Sequence, residues 1–228
     1  MIVSHKHRII FMKSQKTGGT SLELALSRIC GEGDIITPLH ERHELERQKI
    51  GGLGPRNVDV PIHRHRFQDL RLILQGKGRR AFCQHTRAQE VRAWLAPSVW
   101  RDYFKFVVER NPWDRAISQY WFRMRKQDEH PSMLEFFETA PQHMMSNLNY
   151  YAIDGDVVVD QIMRYENLED EIAGLGVQLG LDERFELPSS NSGWRKDRRP
   201  YREVLGEAER DVIAERCSRE IDLLGYAF

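Results

Sequence analysis

Apolar and polar positions fall in blocks along the chain, and the period of the blocks changes. The run "HRIIFM", ending at Met12, predicts a strand, and after it Leu22, Ala25, Leu26 and Ile29 recur at helical spacing. "RRAFCQH", "DYFKFVVER" and "QIMRYENL" read as further strands with helical stretches between them. From Gly31 to about Gly78 no period is sustained; "GEGDIITP", "IGGLGP" and "HRHRF" predict irregular excursions around a short helix near Arg64–Gln75. The last segment, "GEAERDVIAERCSREIDLLGYAF", sets Ala208, Val212, Ile213, Cys217, Ile221 and Leu224 on one helical face. Strands alternating with helices predict a three-layer α/β/α fold with a mainly parallel central sheet, because parallel strands need crossovers and helices supply them. No repeat or low-complexity linker divides the chain, so residues 1–228 read as one domain with an irregular insertion over about 31–78.

Composition narrows the function. With 228 residues and 40% hydrophobic content the chain can bury one sizeable core. Its 34 basic and 34 acidic residues cancel, which gives no global field for nucleic acid or an anionic membrane. Any anion site must be local. No run of 18 apolar residues exists, and "MIVSHKHRIIFMKSQ" carries charges where a signal peptide would be apolar, so a cytoplasmic chain with no membrane span is expected. Cys30, Cys83 and Cys217 are odd in number and lack CxxC spacing, which suits reduced core residues.

Two segments carry candidate chemistry. "SQKTGGTS" lies between the first strand and its helix, where an α/β sheet offers ligands a helix N-terminus. Gly18 and Gly19 allow close backbone approach, Thr20 and Ser21 can donate hydroxyls or cap the helix, and Lys16 adds a point charge. A plain capped strand-to-helix turn has part of the same pattern. The loop departs from GxxxxGK[ST], with Gln15 where the glycine before the lysine would stand, and "DVVVD", ending at Asp160, is a weak magnesium-binding strand. In the second segment, "FVVERNPWDRAISQYWF", Asn111 and Pro112 read as N-cap and first helical residue. Arg110 then stands at the strand's carboxyl end with Ser118 about two turns into the helix, both within reach of one anion. Taken alone, Arg110 would equally suit a pair with Asp114 or Glu109.

These pieces resemble the carbohydrate-type sulfotransferases that use 3′-phosphoadenosine 5′-phosphosulfate (PAPS). "KTGGTSL", Lys16 to Leu22, is similar to the family's phosphosulfate loop, and "RNPWDRAIS", Arg110 to Ser118, to its 3′-phosphate segment. "YENL" at Tyr165–Leu168 and the terminal "IDLLGYAF" resemble two further family motifs in the same order. The resemblance implies a P-loop-like phosphosulfate-binding loop formed by Lys16, Thr17, Gly18, Gly19, Thr20, Ser21 and Leu22. It implies a 3′-phosphate held by Arg110 and Ser118, and a hydroxyl acceptor, specifically a saccharide. The family's basic loop corresponds to "GWRKDRRPYR", with Arg195 and Lys196 nearest the 3′-phosphate; without the resemblance that segment is equally a solvated basic loop.

Sulfuryl transfer builds charge on the leaving phosphate oxygen, and Lys16 is the candidate to stabilise it. The moving group carries less negative charge than a γ-phosphoryl, so magnesium is less needed and no metal is expected. His85, ending "AFCQH", is the candidate base for the acceptor proton, a role family members acting on sugar hydroxyls also give a histidine; a strand-capping role remains open. The pairs His5/His7, His40/His43 and His63/His65 lack HExxH spacing and read as loop residues. Two other readings stand beside this one: a P-loop small-molecule kinase, which would need magnesium, and a non-enzymatic nucleotide- or polyanion-binding module.

Overall fold

In the computed structural model, which describes residues 1–65, 80–180, 187, 195 and 197–228, Ile2–Ser4 (β1) and Ile9–Met12 (β2) form a hairpin. The turn His5–Arg8 closes it, with Arg8 in left-handed backbone at φ 55°. Ile35–Ile36 (β3) pairs antiparallel with β1 on the outer side. On the other side of β2, Phe104–Glu109 (β4) runs parallel, while Ala152–Ile153 (β5) and Asp156–Val157 (β6) make a separate ribbon. Gln161–Arg164 (β7) is parallel to β4 and completes the order β3-β1-β2-β4-β7. The sheet is therefore mixed, which corrects the expected mainly parallel one. "IVS" and "IIFM" are separated only by "HKHR", and a hairpin needs no crossover.

Alternation along the strands assigns each face. Ile10, Met12 and Val107 join Val60, Phe82, Val91 and Trp94 on one side. Ile9, Phe11, Phe106 and Val108 face Leu22, Leu26, Met163, Leu168 and Ile172 on the other. Phe11 lies opposite Phe106 in the β2–β4 register, and their rings stack with centroids 5.4 Å apart, a pair worth about 1 kcal/mol beyond its buried area. Helix Gly19–Ser27 (α1) covers this second face, and Glu41–Lys49 (α2) packs on α1. Ala88–Trp94 (α3), followed by Pro97–Asp102 (α4), covers the first face. A helical cluster lies beside the sheet: Pro112–Met124 (α5) contributes Trp113, Ile117 and Tyr120 against Met133–Thr139 (α6), with Met145 from Gln142–Met145 (α7). Leu168–Gln178 (α8) follows β7; Tyr201–Val204 (α9), Glu207–Arg216 (α10) and Ser218–Leu224 (α11) end the chain.

Three local expectations change. "RRAFCQH" is not a sheet strand: it makes an isolated bridge, Ala81 to Asp59, because Phe82 is its single buried anchor between exposed Ala81 and Cys83. Within the supposedly irregular segment, α2 is a regular helix with acidic residues in its first turn and basic ones in its last. Its one buried side chain is Arg47, so it has no apolar period to read. The terminal helical face is interrupted at Cys217, leaving Ala208 exposed and turning Glu220 inward to accept from Asn147 N–H at 3.0 Å. A 3₁₀ turn covers Ile62–Arg64, and the helix expected near Arg64–Gln75 falls on residues 66–75, which lie outside the described residues.

Candidate active site

The residues from Lys13 to Gly18 turn the chain from β2 into α1. Gly18 has φ +73°, and a Cβ there would stand 3.0 Å from Tyr165 Cε2; at Gly19 it would come within 2.9 Å of Lys13 Cγ. Neither place admits a side chain without movement. Lys16 also has positive φ, 62°, which a residue with a Cβ adopts only when held. Part of the hold is a hydroxyl chain: Thr17 donates to Ser14 Oγ at 2.8 Å, and Ser14 Oγ donates to Val108 O. The buried Thr17 hydroxyl is thus engaged with β4. Among the described residues no side chain caps α1, and its first turn has no acidic residue, so its N-terminal peptide dipoles favour an anion there. Thr20 is half-buried and Ser21 buried in this turn. Leu22 is already inside the helix, its N–H bonded to Gly18 O at 3.3 Å and its side chain in the core.

The Lys16 ammonium lies 4.1 Å over the Phe122 ring of α5. Burial lowers its pKa to about 8, with Arg110, Arg125 and Arg123 adding repulsion. Arg110, at the carboxyl end of β4, donates from Nη1 to Lys16 O at 3.3 Å, joining the two segments directly. Its Nε donates to Asp114 Oδ2 at 2.8 Å, and its guanidinium lies 4.4 Å over Tyr165. Arg195 donates to the other oxygen, Oδ1, of Asp114 at 2.5 Å. One carboxylate therefore gathers two arginines from segments 85 positions apart in the chain (195 − 110). Asn111 caps α5 as expected, accepting from Trp113 N–H at 3.1 Å and Asp114 N–H at 3.3 Å. Ser118 is half-buried on α5 and is hydrogen-bonded to neither segment among the described residues. Lys196 lies outside the described residues.

His85 stands in a turn before α3 rather than at a strand end, with Nδ1 3.0 Å from Lys13 O. A carbonyl only accepts, so Nδ1 carries the proton and Nε2 keeps its lone pair. Burial and the nearby Lys13 charge push its pKa down to about 4, so the ring is neutral at physiological pH. Its ring lies 5.7 Å from that of Tyr150, whose hydroxyl accepts from Gln15 Nε2 at 2.5 Å. Through Tyr150 and Gln15, His85 is brought to the Lys16 loop. Lys13 is held by Glu23 and Gln84, each at 2.9 Å.

The other two motifs act as supports. Glu166 of "YENL" accepts from Asn111 N–H at 2.7 Å and from the hydroxyl of Tyr226, in the terminal "GYAF", at 3.1 Å. Lys13, Gln15, Asn147 and Tyr150 belong to the site without standing out in the sequence reading; only "KSQK", with its second lysine, carried a signal. The carboxylates that a magnesium-dependent reading would use are engaged elsewhere. Asp160 binds Lys105 N–H at 2.7 Å at the start of β4, away from the loop, and Glu109 is fully buried. Among the described residues no cluster of three or more His, Cys, Asp or Glu could hold a metal ion, and no helix is long and apolar enough to cross a membrane.

Fold and site together define an α/β protein whose uncapped helix end, Lys16 and Arg110 gather at the carboxyl edge of its parallel strands. The chain belongs to the sulfotransferase family, whose model matches residues 1–227. A protein of Archaeoglobus fulgidus, itself described only as uncharacterized, is 30% identical over 106 residues, 42% of this chain and 84% of that relative. No solved structure matches the chain.

Proposed function

We propose that the protein transfers a sulfuryl group from PAPS to a hydroxyl acceptor, and that the acceptor is a saccharide. The observation that carries the donor reading is the direct bond from Arg110 Nη1 to Lys16 O, which joins two segments each suited to an anion. The residues present fit the donor. The uncapped α1 end, with Gly18, Gly19, Thr20, Ser21 and Lys16, would hold the 5′-phosphosulfate. Arg110, with Arg195, Lys196 and Ser118, would hold the 3′-phosphate. The saccharide follows from the motif resemblance, and family membership supports the transferase class.

The chain's own groups then have distinct tasks. The acceptor oxygen attacks sulfur as the bond from sulfur to the bridging phosphate oxygen breaks; the bond's electron pair stays on that oxygen, where Lys16 stabilises it. The acceptor proton passes to His85 Nε2, the nitrogen left unprotonated by the Lys13 O contact. A Cβ at Gly19 would come within 2.9 Å of Lys13 Cγ, so the lysine stem packs against the backbone of the loop that would meet the donor's charge. The test is turnover: incubation with PAPS and a panel of sugars, phenols and small alcohols should yield adenosine 3′,5′-bisphosphate only when an acceptor is present. Bisphosphate release matched by free sulfate, whatever the acceptor, would reject transfer.

A further inference from the structure

Asn147 lies 132 positions from Gln15 in the sequence and is fully buried. Its side-chain amide meets the backbone of Gln15 at both polar groups: Oδ1 accepts from Gln15 N–H at 3.0 Å, and Nδ2 donates to Gln15 O at 3.1 Å. A side-chain amide here does what a neighbouring strand would do, on a single residue. The amide is itself braced, since Nδ2 also donates to Glu109 Oε1 at 3.1 Å and the Asn147 N–H donates to Glu220 Oε1 at 3.0 Å. Glu109 Oε1 in turn accepts the Arg110 N–H at 2.9 Å. One buried carboxylate thus connects the clasp on Gln15 to the start of the second anion segment.

The next residue after Gln15 is Lys16, whose backbone is left-handed at φ 62°. Such a conformation persists where the surroundings over-determine it. The Asn147 clasp fixes the Lys16 peptide from the N-terminal side, and Arg110 holds its carbonyl from the other. We propose that Asn147 is a positioning residue: by holding both backbone groups of Gln15, it sets Lys16 in the geometry from which its ammonium and the following peptide N–H groups face the donor. The catalytic half of this statement rests on the PAPS reading above; the clasp does not.

Two readouts keep them separate. The first is hydrogen exchange of the ligand-free protein, comparing peptides over the loop with peptides over β4 and α8, in Asn147→Ala and in the volume-preserving Asn147→Asp. Each lost hydrogen bond is worth about ten-fold in local opening, so loop amides should exchange about ten-fold or more faster in Asn147→Ala while β4 and α8 stay protected. The aspartate keeps the acceptor for Gln15 N–H but sets an oxygen against Gln15 O and Glu109 Oε1, so its loop should loosen at least as far as in Asn147→Ala. The second readout is steady-state kinetics, in which kcat should fall about a hundred-fold in Asn147→Ala with a much smaller change in KM for the acceptor. Unchanged loop exchange, equal loosening of loop and β4, or failure of both variants to fold would overturn the positioning role. So would a loosened loop with wild-type kcat. If the loop loosens as stated but the wild-type protein never turns over PAPS, the clasp stands and the donor reading falls.

Discussion

At the scale of single residues, the account divides the chemistry between Lys16 and His85, and pH separates them. Lys16 must be protonated to stabilise a leaving oxygen, and its pKa is lowered to about 8, so kcat/KM should fall as pH rises through that value. His85 must be unprotonated, and with a pKa near 4 it should remain so well into the acid range. A bound anionic donor raises both, so the limbs of kcat should lie above those of kcat/KM. A pH series on wild type and His85→Ala checks this; an alkaline limb that survives Lys16→Ala would reassign it. The penalty for losing His85 should also shrink as acceptor pKa falls, since an acceptor already ionised has no proton to give, while the penalty for losing Lys16 stays large. Lys16 and Arg110 were legible because a charge beside glycines or at a strand end is a local signal. Asn147 was not, because its partner is a backbone and no side-chain pattern marks a residue that binds one.

At the scale of elements, the β4–α5 corner followed its sequence closely. Asn111, Pro112 and Asp114 fixed the start of α5, and the cap is present as read. Asn111→Ala should cost about 1 kcal/mol of stability, seen in denaturant unfolding, because two N–H groups lose their acceptor. Gly18→Ala should cost a similar amount or more through its positive φ, and the added methyl would press on Tyr165, the ring beneath Arg110. Bisphosphate binding should weaken with it; unchanged affinity and stability would contradict the packing described. Elsewhere the pattern misled for physical reasons. Helix α2 is held by Arg47 reaching Glu44 at 2.8 Å and Glu23 at 3.5 Å, and charge pairs leave no apolar stripe. The Cys217 break was hidden because the apolar period runs straight through it, whereas the inward turn serves a polar contact, Glu220 to Asn147.

At the scale of the whole molecule, four motifs far apart in the chain meet at one edge of the sheet: the Lys16 loop, the Arg110 segment, Glu166 and Tyr226. Their order was readable; that Glu166 bonds both the Asn111 N–H and the Tyr226 hydroxyl needed the fold. The same convergence buries Glu109, whose pKa burial raises to about 7 against the opposing pull of Arg115, the Arg110 N–H and Asn147, with Glu220 adding repulsion. Folding then favours the protonated carboxyl, so this contribution to stability is full below the ordinary carboxylate range and is lost as pH rises through about 7. Glu109→Gln should flatten that part of the Tm–pH curve, and an unaltered slope would refute it. The most direct test of the central claim is calorimetric binding without added metal, comparing adenosine 3′,5′-bisphosphate, adenosine 5′-phosphate and ATP with magnesium on wild type and Arg110→Ala. The account requires the bisphosphate to bind most tightly, with EDTA making no difference, and Arg110→Ala to cost it about 2 kcal/mol more than it costs adenosine 5′-phosphate, which loses only the brace on the Lys16 carbonyl. Tighter binding of magnesium–ATP, or equal losses for both adenosine ligands, would contradict it.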